Sequence, residues 1–281
     1  MKNIPKVIGL VPTYQSEKII GSTLKALGLQ DYPNFEVLVC DDCSSDKTFE
    51  ICRDFAKNHP NFTVLRNETN IGWFSNAEKL WNMAVDKGHY CFLNPHDDPP
   101  FTTFVSKQVK VLEKNSSAVL SIPGMENAYP NGEIIHSQYS APVGKEDVVE
   151  RVFTVIEYNE YWWAGFHGLH RSEAVKQILP VSKLRFGEKE YSIDSIWMIK
   201  LAFLGEFEQV PEVLFRKNYY ANSLSASWKH HIVNRLARWV AIFEAIKKAK
   251  INYHLKAKLR KKVYKLLANR FARRIKRLQN K

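Results

Sequence analysis

Two pairs of adjacent carboxylates stand at the ends of apolar runs. Phe92-Leu93-Asn94-Pro95-His96-Asp97-Asp98 passes from an apolar strand straight into an acidic pair, and Phe35-Glu36-Val37-Leu38-Val39-Cys40 passes into Asp41-Asp42. Such a strand end concentrates negative charge that only a cation relieves. Ligands of open α/β sheets bind at the carboxyl ends of the strands. Two acidic strand ends therefore suggest a nucleotide and a metal. Cys40-Asp41-Asp42-Cys43 has the spacing of a redox motif, but the two carboxylates inside it would raise a thiol pKa. The four cysteines are too few and too scattered for a disulfide scaffold. Buried strand-end cysteines are the expectation.

The elements that must position these residues alternate. Lys6 to Val11, Glu36 to Cys40, Thr63 to Leu65 and Tyr90 to Leu93 read as strands; Glu17 to Leu29, Lys47 to Asn58 and Ser75 to Lys87 carry apolar residues at helical spacing. Alternation of this kind predicts a parallel sheet with helices on its faces. Ser44-Ser45-Asp46 is a helix N-cap cluster. A helix over Thr103 to Lys114 and a strand over Ala118 to Ile122 follow, then a hairpin about Asn131-Gly132. Ser140 to Glu160 carries no assignable pattern. Beyond it lie a helix from Ile193 to Leu204, closed by Gly205, and an edge strand with Pro211 at its first residue. From Trp228 onward the pattern is that of two helices.

The chain has 281 residues and a net charge of +12, enough length for a sizeable core. Residues 229–281 hold 18 of the 41 basic residues and a single acid, Glu244, so the remainder is net acidic. In this tail Leu255, Leu259, Val263, Leu266, Leu267, Phe271, Ile275 and Leu278 recur at helical spacing among lysines and arginines, an amphipathic cationic helix. Three readings follow: attachment to an anionic membrane, packing on the chain's own domain or a second protomer, and, least favoured, nucleic-acid binding. No secretory signal and no apolar run of membrane-spanning length is evident, so a cytoplasmic protein is expected, on the inner face of the membrane if the tail binds lipid.

The order Val11-Pro12-Thr13-Tyr14 with Glu17, Asp41-Asp42 with Ser44, Arg66-Asn67 with Asn70-Ile71-Gly72, and His96-Asp97-Asp98, continuing to Asp194 and through Gly205-Glu206-Phe207 to Phe215, resembles a family 2 glycosyltransferase. The resemblance covers roughly residues 5–225. It implies the GT-A fold: a Rossmann-like, mixed and mostly parallel sheet flanked by helices. Residues 1–123 would be the nucleotide-sugar half, 124–227 the acceptor and catalytic-base half, and 228–281 a helical extension.

The resemblance also implies roles. Asp98, Asp97 and His96 would hold Mg²⁺ or Mn²⁺, which bridges the donor diphosphate; hard cations prefer such oxygen ligands. Which of the two aspartates is the direct ligand stays open. Asp41 and Asp42 would meet the nucleobase and ribose, with Pro12, Thr13, Tyr14 and Glu17 cradling the base and the Arg66 guanidinium reaching the diphosphate. Asp194, at a helix start, would be the base that deprotonates the acceptor hydroxyl. Trp162, Trp163, His167 and Arg171 form a candidate acceptor surface. The expected activity is inverting transfer from a nucleoside-diphosphate sugar, UDP-linked, to a glycan or lipid-linked acceptor in polysaccharide biosynthesis. A nucleotidyltransferase would need a Gly-rich phosphate loop after the first strand, and Pro12 to Glu17 lacks glycine. A non-catalytic glycan-binding or membrane-binding module is the remaining alternative, and the sequence leaves oligomeric state, a homo-oligomer included, undecided.

Overall fold

The computed structural model describes residues 4–158, 160–180, 183–188, 190–220 and 231–279. Its centre is an eight-stranded mixed sheet in the order β3-β2-β1-β4-β7-β5-β6, with β8 paired to β5. Strands β1 (Val7–Thr13), β2 (Phe35–Asp41), β3 (Phe62–Arg66) and β4 (Tyr90–Leu93) run parallel, joined by helices α1 (Ile20–Gly28), α2 (Thr48–Lys57) and α3 (Trp73–Ala84). β1 and β4 are almost wholly buried, as continuous apolar runs covered on both faces must be. α4 (Phe104–Lys114) packs on β5 (Ala118–Ala128) and β8 (Glu206–Asn218). This is the GT-A arrangement expected from the sequence, with a C-terminal helical extension.

Register decides which chemistry meets. Thr13 pairs with Asp41, and Asp41 with Arg66, so three strand ends lie in one row. Leu93 pairs with Leu10, which carries the Asn94–Asp98 segment to the same edge of the sheet. β7 (Leu169–Arg171) is antiparallel to β4, with Arg171 opposite Tyr90 at the far end.

Two expectations are corrected here. The strand expected to stop at Ile122 continues to Ala128, and Pro211 lies inside β8 rather than at its first residue. Both follow from one irregularity. Pro123 pairs with Val210 but Gly124 pairs with Val213, so Pro211 and Glu212 bulge out of the ladder, where a proline's missing N–H costs nothing. Gly124 is needed at this point, because a Cβ there would stand 2.7 Å from the backbone oxygens of Pro211 and Glu212. The hairpin to β6 (Ile134–Ser137) turns through Gly132 at φ +85 as predicted.

The segment without assignable pattern contains α5 (Val148–Glu157), whose N-cap Asp147 accepts a 2.8 Å bond from Glu150 N. Short helices α6 (Trp162–Phe166) and α7 (Ser172–Ile178) flank β7. They lead to α8 (Ile193–Ala202), a helix buried around most of its circumference. The tail forms α9 (Ile232–Lys248) and α10 (Tyr253–Gln279). Trp228, where the sequence reading begins the tail, lies outside the described residues, as do the side chains of Ile275 and Leu278.

The apolar stripe of α10 turns onto the chain's own domain: Leu259, Val263 and Leu266 are buried in the main core. Lys262 pairs with Glu150 on α5, and Arg270 donates to the Glu157 carbonyl at 2.9 Å. Burying side chains of this kind stabilises by about 1.5–3 kcal/mol each. Own-domain packing is therefore where much of the amphipathic pattern goes, while Phe271 stays 68% exposed.

Candidate active site

Asp41, fully buried at the end of β2, accepts the Ser44 backbone N–H at 3.1 Å and the Ser44 hydroxyl, and faces Arg66 Nε at 3.3 Å. Arg66 also donates to the Ser44 carbonyl at 2.7 Å, so its guanidinium braces the β2 end. Asp42 accepts three bonds, from Asn67 Nδ2 at 2.7 Å, Ile71 N at 3.0 Å and Gly72 N at 2.9 Å. It thereby fixes the loop that launches α3. The Thr13 and Ser16 hydroxyls bond to each other, and Ser16 N donates to Thr48 Oγ1 at 2.7 Å. The Glu17 carboxylate accepts Lys47 N at 3.1 Å. Together these bonds tie the loop after β1 to the loop after β2, leaving Tyr14 exposed and Pro12 partly buried beside them.

Cys40 is buried beside this row, and burial pushes its thiol up to about 11, which suits a packing residue. Cys52 and Cys91 are likewise buried.

At the end of β4 the two aspartates differ. Asp98 is fully buried; it accepts the Asn218 backbone N–H at 2.7 Å and faces Lys217 Nζ at 3.4 Å, both from the end of β8. Burial, reinforced by neighbouring Asp97, pushes its carboxyl up to about 6 against the pull of Lys217 and the Asn218 N–H. Asp97 is half-buried and contributes its backbone carbonyl to Asn218 Nδ2 at 2.6 Å. No hydrogen bond to its carboxylate is found among the described residues. His96 stands beside it, also half-buried. Lys217 and Asn218 were missed by sequence reasoning; their signal is the one that marked Asp98, an apolar strand running into polar residues.

Lys217 also lines a cavity of about 1110 Å³ that holds Asp194 and reaches Trp162, Trp163 and His167. Asp194 lies in the first turn of α8, after Ser192 at φ +53, and accepts Trp162 Nε1 at 2.8 Å and Ser195 N at 2.7 Å. Burial raises its pKa, opposed by the Trp162 indole, the Ser195 N–H and Arg238. A carboxylate held by donors yet raised by burial is suited to taking a proton. His167 stacks on Phe215 and bonds the Leu93 carbonyl at 3.2 Å; burial lowers its pKa to about 3, so the imidazole is neutral.

Arg171 is not part of this cavity, a correction to the candidate acceptor set. Because β7 runs antiparallel to β4, Arg171 lies at the opposite end of the strand. Its guanidinium bonds the Ala118 carbonyl at 3.0 Å, the Leu112 carbonyl at 3.1 Å and the Tyr90 hydroxyl at 3.2 Å. The far wall of the cavity comes instead from the tail, through Arg235, Arg238 and Trp239 on α9 and Arg270 and Phe271 on α10.

The profile described as glycosyl transferase family 2 matches residues 10–167. EpsE of Bacillus subtilis (strain 168) is 28% identical over 116 residues, 41% of either chain. The poly(ribitol-phosphate) beta-N-acetylglucosaminyltransferase TarS of Staphylococcus aureus is 48% identical over 65 residues, 22% of this chain and 11% of that one. The chain thus spans less than half the length of these two relatives. The crystal structure of TarS 1-349 in complex with UDP-GlcNAc superposes with a TM-score of 0.68 at 19% identity, over 90% of this chain and 70% of that one. The mannosyltransferase PcManGT from Pyrobaculum calidifontis, in complex with GDP-Man and Mn²⁺, does so with a TM-score of 0.57 at 17% identity, over 94% and 70%. At these identities the superpositions establish the fold alone. The match of more than half the chain to the family profile, carried on a GT-A sheet, makes this protein a member of glycosyl transferase family 2.

Proposed function

We propose that the chain is an inverting glycosyltransferase that moves a sugar from a nucleoside-diphosphate sugar, UDP-linked, to a glycan or lipid-linked acceptor in polysaccharide biosynthesis. The observation that carries this reading is the dual position of Lys217, paired with Asp98 at the acidic strand end and lining the cavity that holds Asp194. Donor chemistry and a general base thereby face each other across one site.

In this reading residues 1–123 bind the donor and 124–227 bind the acceptor. Asp41, held by Ser44 and Arg66, and Asp42, holding the loop before α3, shape the strand end that meets the base and ribose, on the shelf made by Pro12, Thr13, Tyr14 and Glu17. The donor set fits a divalent ion, Mg²⁺ or Mn²⁺, in a specific way. The Asp97 carboxylate meets no protein donor among the described residues and His96 is adjacent, whereas Asp98 is held by β8. Among the described residues no three His, Cys, Asp or Glu side chains enclose a metal site. The ion would complete its shell from diphosphate oxygens and water, as Mg²⁺ commonly does, and would supply charge for the departing diphosphate. Lys217 adds a fixed cation on the same side.

Asp194 accepts the proton of the acceptor hydroxyl as that oxygen bonds to the anomeric carbon and the bond to the diphosphate breaks in line. One displacement inverts the centre, so one base suffices and no sugar is bound covalently to the protein, in contrast to retaining glycosidases. The outward lysines of α10 would hold the protein at an anionic cytoplasmic membrane face.

The test is nucleoside-diphosphate release from a panel of UDP-, GDP- and dTDP-sugars, with Mn²⁺, Mg²⁺ or EDTA, in wild type, Asp97→Asn and Asp194→Asn. Expected is release from one UDP-sugar, suppressed by EDTA and by each substitution by about 100-fold or more, the scale of removing a charge-stabilising or proton-accepting group. Release that ignores EDTA and both substitutions would overturn the reading.

A further inference from the structure

We infer that the cavity between α8 and the two tail helices receives an acceptor bearing negative charge, a chain carrying carboxylate or phosphodiester groups. It rests on the transferase reading above and adds the chemical class of the acceptor. Among the described residues that line the cavity, Lys217, Arg235, Arg238 and Arg270 are cationic and Asp194 alone is anionic. Lys217 is already paired with Asp98. Cationic side chains thus outnumber carboxylates in that lining.

Arg238 is buried and Arg270 half-buried, while Arg235 is exposed. Arg235 and Arg238 are three residues apart on α9 and so share a face; Arg270 comes from α10. The guanidinium carbons of Arg238 and Arg270 lie 5.8 Å and 5.6 Å from the centre of the Trp239 ring, which leaves one indole flanked by two cations. Arg238 is buried and donates to Ser195 Oγ at 2.9 Å, beside the proposed base. Burial, with the nearby charge of Arg270, pulls Arg238 down to about 10 against Tyr191, Asp194 and Tyr139, and burial lowers Arg270 as well, opposed by Glu157 and reinforced by Arg273. Like charges held this way are relieved by an anion.

The contrast with the rest of the extension is informative. Lys262 pairs with Glu150 and Arg185 with Glu244, whereas Arg235 has no carboxylate partner among the described residues. Trp163, also in the cavity lining, has a buried indole N–H that meets no acceptor among the described residues. Guanidinium forks and indole donors match carboxylate and phosphate oxygens. At about 1110 Å³ the cavity exceeds the roughly 300–1,000 Å³ of small-molecule sites, which suits a segment of a chain better than one sugar.

The test is calorimetric titration of the full chain with four probes: an oligogalacturonate, an oligo(glycerol phosphate), a neutral maltooligosaccharide of equal length, and UDP. Proteins are wild type, the cavity variant Arg235→Gln with Arg270→Gln, and an outer-face variant with Lys258, Lys261 and Lys265 each changed to Gln. These three lysines are exposed. Expected is binding of at least one anionic oligomer about tenfold or more tighter than the neutral one, weakened about tenfold or more in the cavity variant, the scale of losing hydrogen bonds to charged groups. The outer-face variant should stay within about twofold, because screened surface charges contribute little. Which anionic probe binds distinguishes carboxylate from phosphodiester. Equal affinity for the neutral oligomer, no binding of either anion, wild-type affinity in the cavity variant, or loss confined to the outer-face variant would overturn the inference. The UDP arm is separate: intact UDP binding with silent anion arms sinks this inference alone, and absent UDP binding counts against the transferase reading.

Discussion

Changing Trp162 to phenylalanine removes one hydrogen bond and trims an aromatic ring that packs edge-on against Trp163. The indole N–H lies 2.8 Å from Asp194 Oδ2, and the replacement keeps an aromatic ring at that wall of the cavity. Asp194 is already raised by burial, and the indole is the first of the groups holding it down, followed by the Ser195 N–H and Arg238. A hydrogen bond to a charged group contributes about 1.5–3 kcal/mol. At about 1.4 kcal/mol per pH unit this corresponds to roughly one to two units, and the donors that remain place the effect near the lower end, about one unit. The sign is fixed by the role. A general base works as the carboxylate, so the rate falls as pH falls through its pKa. Raising that pKa moves the acidic limb of the profile to higher pH by about one unit, while the plateau above it is retained. The assay is the pH profile of kcat/KM for the acceptor, which reports the ionisations of the free protein. A limb that stays in place or moves down would refute the reasoning. So would a uniform loss at every pH, which would make Trp162 a stacking surface rather than a donor that tunes the base.

Leu259→Ala should loosen α10 from the domain: the side chain is fully buried in the main core, so a loss of about 2–5 kcal/mol is expected. Thermal denaturation would read it, and because α10 carries Arg270, acceptor KM should rise before donor KM. Arg171→Gln should act on stability alone, since its guanidinium donates to three backbone carbonyls and a tyrosine hydroxyl away from the cavity. Hydrogen bonds from a charged group contribute about 1.5–3 kcal/mol each, so the melting temperature should fall by several degrees with acceptor KM unchanged; an acceptor-specific KM effect would restore Arg171 to the site.

The parallel half of the fold was legible in the sequence because its signals are local. The short apolar runs read at Lys6 to Val11, Glu36 to Cys40 and Tyr90 to Leu93 overlap strands Val7–Thr13, Phe35–Asp41 and Tyr90–Leu93, and the helical periodicity between them marks the crossovers. The acidic strand ends followed for the same reason, since parallel strands deliver their carboxyl ends to one edge of the sheet. Less legible was what depends on partners distant in sequence. The bulge that absorbs Pro211 exists only because β8 pairs with β5, and α5 was hidden in a segment whose apolar face is set by α8 and α10.

The division within the site has the same cause. Composition and spacing alone determined that this chain gathers carboxylates at strand ends and concentrates its positive charge after residue 228. Tertiary structure alone decided that Asp98 is sheathed by Lys217 and Asn218 while the Asp97 carboxylate meets no protein donor among the described residues. It also decided that Arg171 lies at the far end of β4, and that the tail's arginines line the cavity of Asp194. A sequence states which charges a chain owns. Strand direction and helix docking, set by burial summed over the whole core, determine which of those charges face one another.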